Sequence, residues 1–116
     1  MQLIGTTRAA QSPSERRRYA RYAVRCRCWI ETEQTSLFSQ TVDVGLGGLF
    51  LRTAVPLGEG QCVGITLDLG QGEPLVAEGS VSRIVRPRSG VRHGLGLEFV
   101  NITSGKQHLQ HVLRTR

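Results

Sequence analysis

The sequence predicts a mainly β fold: a small six-stranded antiparallel β-barrel followed by a C-terminal α-helix. Three observations carry this expectation. Six segments between Val24 and Val100 place apolar residues at a period of two, or as short apolar runs bounded by turns. The chain has fourteen glycines, and those at 45, 47 and 48, at 58 and 60, and at 70 and 72 break it between these segments. Helical spacing is clear only at the end, in Leu109, Val112 and Leu113. A chain of 116 residues accommodates one domain with one modest core. No βαβ alternation or internal repeat is present.

Residues 1–13 contain no apolar h-region and are expected to be a flexible N-terminal tail, with the barrel domain over residues 14–116. Ser14 can cap a short turn through Glu15–Arg18. The first strand alternates Val24, Cys26, Cys28 and Ile30 inward with Arg25, Arg27 and Trp29 outward. Leu37 to Val44 forms the second, with Phe38, Val42 and Val44 expected in the core. Asp43 to Gly48 then holds three glycines in four positions, which supply positive φ or close backbone approach. Leu49 to Thr53 resumes as a strand. Gln61 to Leu69 alternates Val63, Ile65, Leu67 and Leu69 against Gly64, Thr66 and Asp68. Gly70 to Pro74 is a tight connection. Leu75 to Val85 is a long strand with Leu75, Ala77, Gly79 and Val81 on one side, and Val91 to Val100 is the last, with Leu95, Leu97 and Phe99 inward. Ser104 and Gln107 have the spacing of a capping box opening the helix. Arg114 and Arg116 sit in its last turn, where the helix dipole favours cations.

The net charge of +6 is localised. Residues 1–28 carry seven arginines and one acid, and residues 29–116 carry eight basic and eight acidic residues. The excess therefore sits ahead of the first strand, in Arg16, Arg17, Arg18, Arg21, Arg25 and Arg27, with Glu15 beside it. Such a block points to a phosphate- or carboxylate-bearing partner. A second cluster comprises Arg83, Arg86, Arg88 and Arg92, near Pro87 and Gly90. No apolar run of about 18 residues is present. Cys26 and Cys28 point the same way on a strand and cannot readily bond each other. Three cysteines without a C-x-x-C pair read as small core residues of a reducing, cytoplasmic protein. No zinc spacing, nucleophile elbow or P-loop occurs, so no enzyme, metal or cofactor is expected. His93, His108 and His111 read as a strand-entry residue and two solvated helix residues. Single-stranded nucleic acid could use the arginines with Trp29, but a chain with 5% aromatic residues argues against a stacking platform.

Two features combine into one chemistry. Arg17 and Arg21 are four apart, with Arg16 and Arg18 alongside. Asp43, Gly45 and Gly48 follow as D-x-G-x-x-G. Guanidinium forks bind phosphate, and they bond the O6/N7 edge of guanine. A carboxylate accepts from guanine N1–H and N2–H₂, and glycines let a planar base approach the backbone. Together these residues suit a guanine nucleotide.

At these positions the sequence resembles the PilZ domains, bacterial receptors for cyclic di-GMP. The segment Glu15 to Arg21 is similar to their R-x-x-x-R motif. Thr41 to Leu51 is similar to their [D/N]-x-S-x-x-G motif with its following strand, and Gly94 to Val100 to their last strand. The resemblance spans about residues 14–113. It implies a PilZ-like split barrel in second-messenger signalling. It implies that Arg17 and Arg21 bind phosphates and guanines, assisted by Arg16 or Arg18. It implies that Asp43 holds a guanine and that Gly48 allows the turn. It also implies a downstream partner in motility, pili or exopolysaccharide production. Gly45 stands where the family has Ser, which removes a hydrogen bond worth about 0.5–1.5 kcal/mol. The alternative reading is a barrel with a degenerate nucleotide site that works through protein contacts.

Overall fold

The computed structural model describes residues 20–53, 55–86 and 93–115. Seven strands are present in chain order: β1 (Arg21–Tyr22), β2 (Arg27–Glu31), β3 (Ser36–Gly45), β4 (Gly48–Arg52), β5 (Cys62–Asp68), β6 (Leu75–Val85) and β7 (Gly94–Ser104). The helix α1 (Lys106–Arg114) follows. All pairings are antiparallel. The order β3-β2-β5-β6-β7-β4 closes on itself because β4 also pairs β3. This is the expected six-stranded barrel. The two-residue β1 is an addition that pairs the end of β3 beyond β2, and it is too short to carry a period in the sequence. Closure removes the unpaired edges that a six-stranded open sheet would present.

The core is the inner face of these strands. Cys28, Ile30, Val44, Leu49, Leu51, Leu67, Leu75, Leu95 and Leu97 are fully buried, and Leu109 and Leu113 from the helix join them. The alternating pattern of β2, β5 and β6 was legible because a pleated strand with one buried face must alternate. The helix packs two turns of leucine against the barrel, with Val112 partly buried.

Several expectations are corrected. Phe38 is outward and exposed, with its ring centroid 5.1 Å from that of Trp29. Val42 is only half-buried. The cause is a β-bulge in β3: Thr41 pairs Leu51 but Asp43 pairs Phe50, so one extra residue shifts the phase. Leu37 and Thr41 face inward before the bulge and Val44 after it. The capping box does not form. Gly105 occupies the N-cap with φ +85°, with no side-chain cap bond, while the Ser104 hydroxyl donates to Glu73 Oε2 at 2.8 Å. A Cβ on Gly105 would lie 2.2 Å from the Pro74 carbonyl oxygen, so glycine is required twice over. β7 accordingly runs four residues past Val100, to Ser104. Cys26 and Cys28 are core residues, but Cys62 is exposed. His108 is half-buried, and its Nδ1 lies 2.7 Å from the Glu73 carbonyl oxygen, so it braces the β5–β6 connection. The proposed Ser14-capped turn lies outside the described residues.

Candidate functional site

The D-x-G-x-x-G motif is a hairpin. Asp43 and Gly45 end β3, Leu46 and Gly47 turn, and Gly48 opens β4. The bulge at Val42 decides where the carboxylate points. Without it Asp43 would share the inward face of Thr41. With it, Val44 takes the core position and Asp43 stays at the surface.

β3 is long enough to serve two partners along one edge. Ser36 to Gln40 pair β2, and Val44 and Gly45 pair β1. Between them the chain from residue 23 to residue 26 leaves the ladder. Thr41 repairs that gap from within the barrel. Its buried hydroxyl donates to the Val24 carbonyl at 2.6 Å and accepts from the Cys26 N–H at 2.8 Å. Its own N–H donates to the Cys26 carbonyl at 2.9 Å. Those bonds fix where the arm carrying the arginines meets the barrel.

On this arm, Arg21 is opposite Gly45. Its Nη1 donates to Asp43 Oδ1 at 3.2 Å, both side chains being about one-third exposed. The structure therefore brings together three predicted site residues, Arg21, Asp43 and Gly45. Arg16, Arg17 and Arg18 lie outside the described residues.

The glycines act through contact, since neither Gly45 nor Gly48 has positive φ. A Cβ on Gly45 would lie 2.6 Å from the Ala20 carbonyl oxygen. A Cβ on Gly48 would lie 2.1 Å from the Leu97 carbonyl oxygen, across the β4–β7 pairing. Gly45 thus admits the arm, and Gly48 admits the barrel wall.

An open cleft of about 370 Å³ adjoins the hairpin, lined by Ala20, Tyr22, Leu46, Gln110, Leu113 and Arg114. Its size falls in the range of small-molecule sites. Sequence reasoning gave Arg114 only a helix-dipole role and gave Tyr22 and Leu46 none. Their convergence depends on how the helix folds back, which has no local signature.

The second basic cluster is partly placed. Arg83 and Phe50 are both register partners of Gly96. With no side chain between them, the Arg83 guanidinium carbon lies 5.3 Å from the Phe50 ring centroid. Phe50 in turn pairs Asp43. Arg83 therefore shares an outward row with the motif carboxylate, a placement that spacing alone did not give. Arg88 and Arg92 lie outside the described residues. Among the described residues no group of three or more His, Cys, Asp or Glu could hold a metal ion. No helix among them is long and apolar enough to cross a membrane.

Comparison with known proteins bears on this geometry. No curated protein sequence matches significantly. Among solved structures, the chain is similar to the Bacillus subtilis inhibitor of motility MotI/DgrA. The TM-score is 0.73 at 20% identity, over 85% of this chain and 50% of that one. It is also similar to the PilZ domain with c-di-GMP of YcgR from Escherichia coli, with TM-score 0.66 and 23% identity over 86% of this chain and 90% of that one. For YcgR in complex with c-di-GMP the TM-score is 0.71 at 23% identity, over 86% and 45%. The chain thus spans about half the length of MotI/DgrA and of that YcgR chain. At these identities the likeness is one of fold. The sequence itself matches the family model described as PilZ domain over residues 15–114, which takes in the arm, the hairpin, the closed barrel and the helix; the chain belongs to the PilZ domain family.

Proposed function

We propose that the protein is a cyclic di-GMP-binding receptor or adapter module that acts by binding and not by catalysis. The observation that carries this is the Arg21–Asp43 pair at 3.2 Å, set beside Gly45 at the arm–hairpin junction. Arg21 and Arg17 supply forks for phosphate and for guanine O6/N7, with Arg16 and Arg18 adding charge. Asp43 accepts from the guanine N1–H and N2–H₂. Gly45 lets the arm sit close enough to the hairpin for one ligand to touch both, and Gly48 seats the hairpin against the barrel wall. The c-di-GMP in the YcgR structures supports the choice of ligand.

Arg21 and Asp43 satisfy each other across the junction. An exposed pair of this kind is worth about 0.2–1 kcal/mol. Micromolar binding corresponds to about −8 kcal/mol. The pair therefore pre-positions both groups without locking the site. On binding, the arginine arm of residues 16–21 orders over the nucleotide and changes the surface offered to a downstream signalling or motility protein. The module comprises residues 14–116, with residues 1–13 as a tail ahead of it. None of the three cysteines is in a disulfide and two are buried, which suits a cytoplasmic location.

Calorimetric titration with cyclic di-GMP, beside GTP and GMP, tests the reading. Wild type should bind cyclic di-GMP, and Arg17→Ala, Arg21→Ala and Asp43→Ala should each weaken binding at least tenfold. No heat with folded wild type would sink the proposal. That result would favour the second reading, a PilZ module working through protein contacts alone, for which Gly45 in place of Ser is the supporting observation.

A further inference from the structure

The outward face of β2 has a charge order that its fold and nucleotide chemistry do not use. Along the strand and its flanks Arg25, Arg27, Trp29, Glu31 and Glu33 are all exposed; the first four alternate with buried Val24, Cys26, Cys28 and Ile30, and Glu33 lies in the turn that follows, closed by the Thr32 N–H donating to the Thr35 carbonyl. Two cations precede the tryptophan and two anions follow it. None of these four charges has an ion-pair partner among the described residues. Trp29 is 41% and Phe38 56% exposed, and their rings contact each other at 5.1 Å between centroids. They are register partners across the β2–β3 pairing and form an exposed aromatic patch at the centre of that face.

We propose that this face is a self-association surface, occupied by the same face of a second copy in a two-fold homodimer. The argument is charge complementarity. Consider a two-fold axis lying in the plane between two such faces, running across the strands over Trp29. It reverses the strand direction and keeps each lateral side opposite itself. Trp29 then meets Trp29 and Phe38 meets Phe38. Arg27 meets Glu31 of the second copy, and Arg25 falls toward the acidic turn that carries Glu33. The neighbouring strands fit the same operation. Gln40 and Asp68 are the register partners of Arg27, while Ser36 and Gly64 are those of Glu31. Gln40 therefore falls opposite Ser36, and Asp68 opposite Gly64, so no like charges oppose each other. Sheets packed face to face keep their strand directions near alignment, which this arrangement permits. A two-fold interface must be self-complementary, and this pattern is so by construction. The patch is small, so the dimer is weak, with exchange set by protein concentration.

The sequence contains one tryptophan, so emission excited selectively at tryptophan, clear of the two tyrosines, reports this site alone. Sedimentation velocity and Trp emission are followed together from micromolar to millimolar protein. Wild type should shift from monomer to dimer, with emission moving to shorter wavelength as Trp29 is covered. Trp29→Ala should abolish the sedimentation shift. Arg27→Glu leaves positions 27 and 31 both acidic and Glu31→Arg leaves them both basic, so in either variant alone like charges meet across the axis, and the dimer dissociation constant should rise at least tenfold. Mixed in equal amounts, the two variants should associate with each other more tightly than either does with itself. Both positions are exposed and unpaired, so circular dichroism should be unchanged; if either variant misfolds, Arg25→Glu and Glu33→Arg replace them. Wild type that stays monomeric with constant emission would overturn the proposal. So would a dimer insensitive to Trp29→Ala, or a mixture that does not associate. Quenching of a monomer by single-stranded oligonucleotide, with no self-association, would overturn it in favour of nucleic acid.

Discussion

Replacing Gly45 with alanine separates the arm from the barrel without unfolding either. The new Cβ would lie 2.6 Å from the Ala20 carbonyl oxygen, roughly 1 Å inside ordinary carbon contact distance. Overpacking of this kind costs about 1–3 kcal/mol. The colliding atom is backbone, so no side chain can swing aside. What can yield is β1, held to β3 at only two register positions and by one exposed ion pair worth about 0.2–1 kcal/mol. The strain exceeds that pair, so the arm lifts and the barrel keeps its six-strand closure. Global stability should barely change, because Gly→Ala also removes about 0.4–1 kcal/mol of unfolded-state freedom. Hydrogen exchange across residues 20–23 should accelerate roughly 5- to 150-fold, following from 1–3 kcal/mol of local destabilisation. Gly48→Ala is the control. Its Cβ would lie 2.1 Å from the Leu97 carbonyl oxygen, inside the β4–β7 ladder, so its cost must appear as lower global stability. Unchanged exchange in residues 20–23 of Gly45→Ala would refute the reasoning. A drop in melting temperature as large as that of Gly48→Ala would refute it equally.

Two further outcomes follow from the buried groups. Thr41→Val keeps the shape but leaves the Val24 carbonyl and the Cys26 N–H without their buried partner, so it should lower stability by about 1–3 kcal/mol. A shift of the urea midpoint equivalent to less than about 0.5 kcal/mol would contradict that role for the hydroxyl. Burial, with a smaller contribution from Cys26, pushes the Cys28 thiol up from 9.0 to about 12. The unfolded chain loses this proton near pH 9 and the folded chain keeps it to about pH 12. The unfolded state therefore binds fewer protons in that window, and stability is full below it and falls as pH rises through it, by about 1.4 kcal/mol per unit from this group. Cys28→Val should remove that component of the slope in pH-dependent denaturation. Parallel slopes for the two proteins would rule it out.

The barrel was legible because its strands alternate. Val63, Ile65 and Leu67, or Val24, Cys26, Cys28 and Ile30, can be buried together only on a strand of period two. The exceptions have a common cause in tertiary structure that overrides local pattern. Phe38 belongs to a strand rich in apolar residues, but the bulge two turns of the pleat later sets which of them face inward. Ser104 and Gln107 fit a capping box. The close approach of Pro74 instead demands glycine at the cap and turns the serine hydroxyl toward Glu73. In both cases the deciding contact is with another part of the chain, the pairing of β3 with β4 at the bulge and the Pro74 carbonyl oxygen at the cap.

The site divides along the same line. Arg21, Asp43 and Gly45 could be named because residue type and spacing express their chemistry, and the structure places these three together. What spacing could not express is the means of assembly. Asp43 faces outward because of a bulge at Val42. Arg21 reaches it because Thr41, a buried threonine with no sequence signal, fastens the chain on the way to β2. Gly45 matters less for a missing hydroxyl than for the space it leaves to the Ala20 carbonyl. A serine there would gain a ligand hydrogen bond of about 0.5–1.5 kcal/mol and meet a packing cost of about 1–3 kcal/mol. In this chain the glycine and the closely seated arm are therefore one adaptation, and restoring the family's serine without rerouting the arm should weaken the junction it was meant to complete.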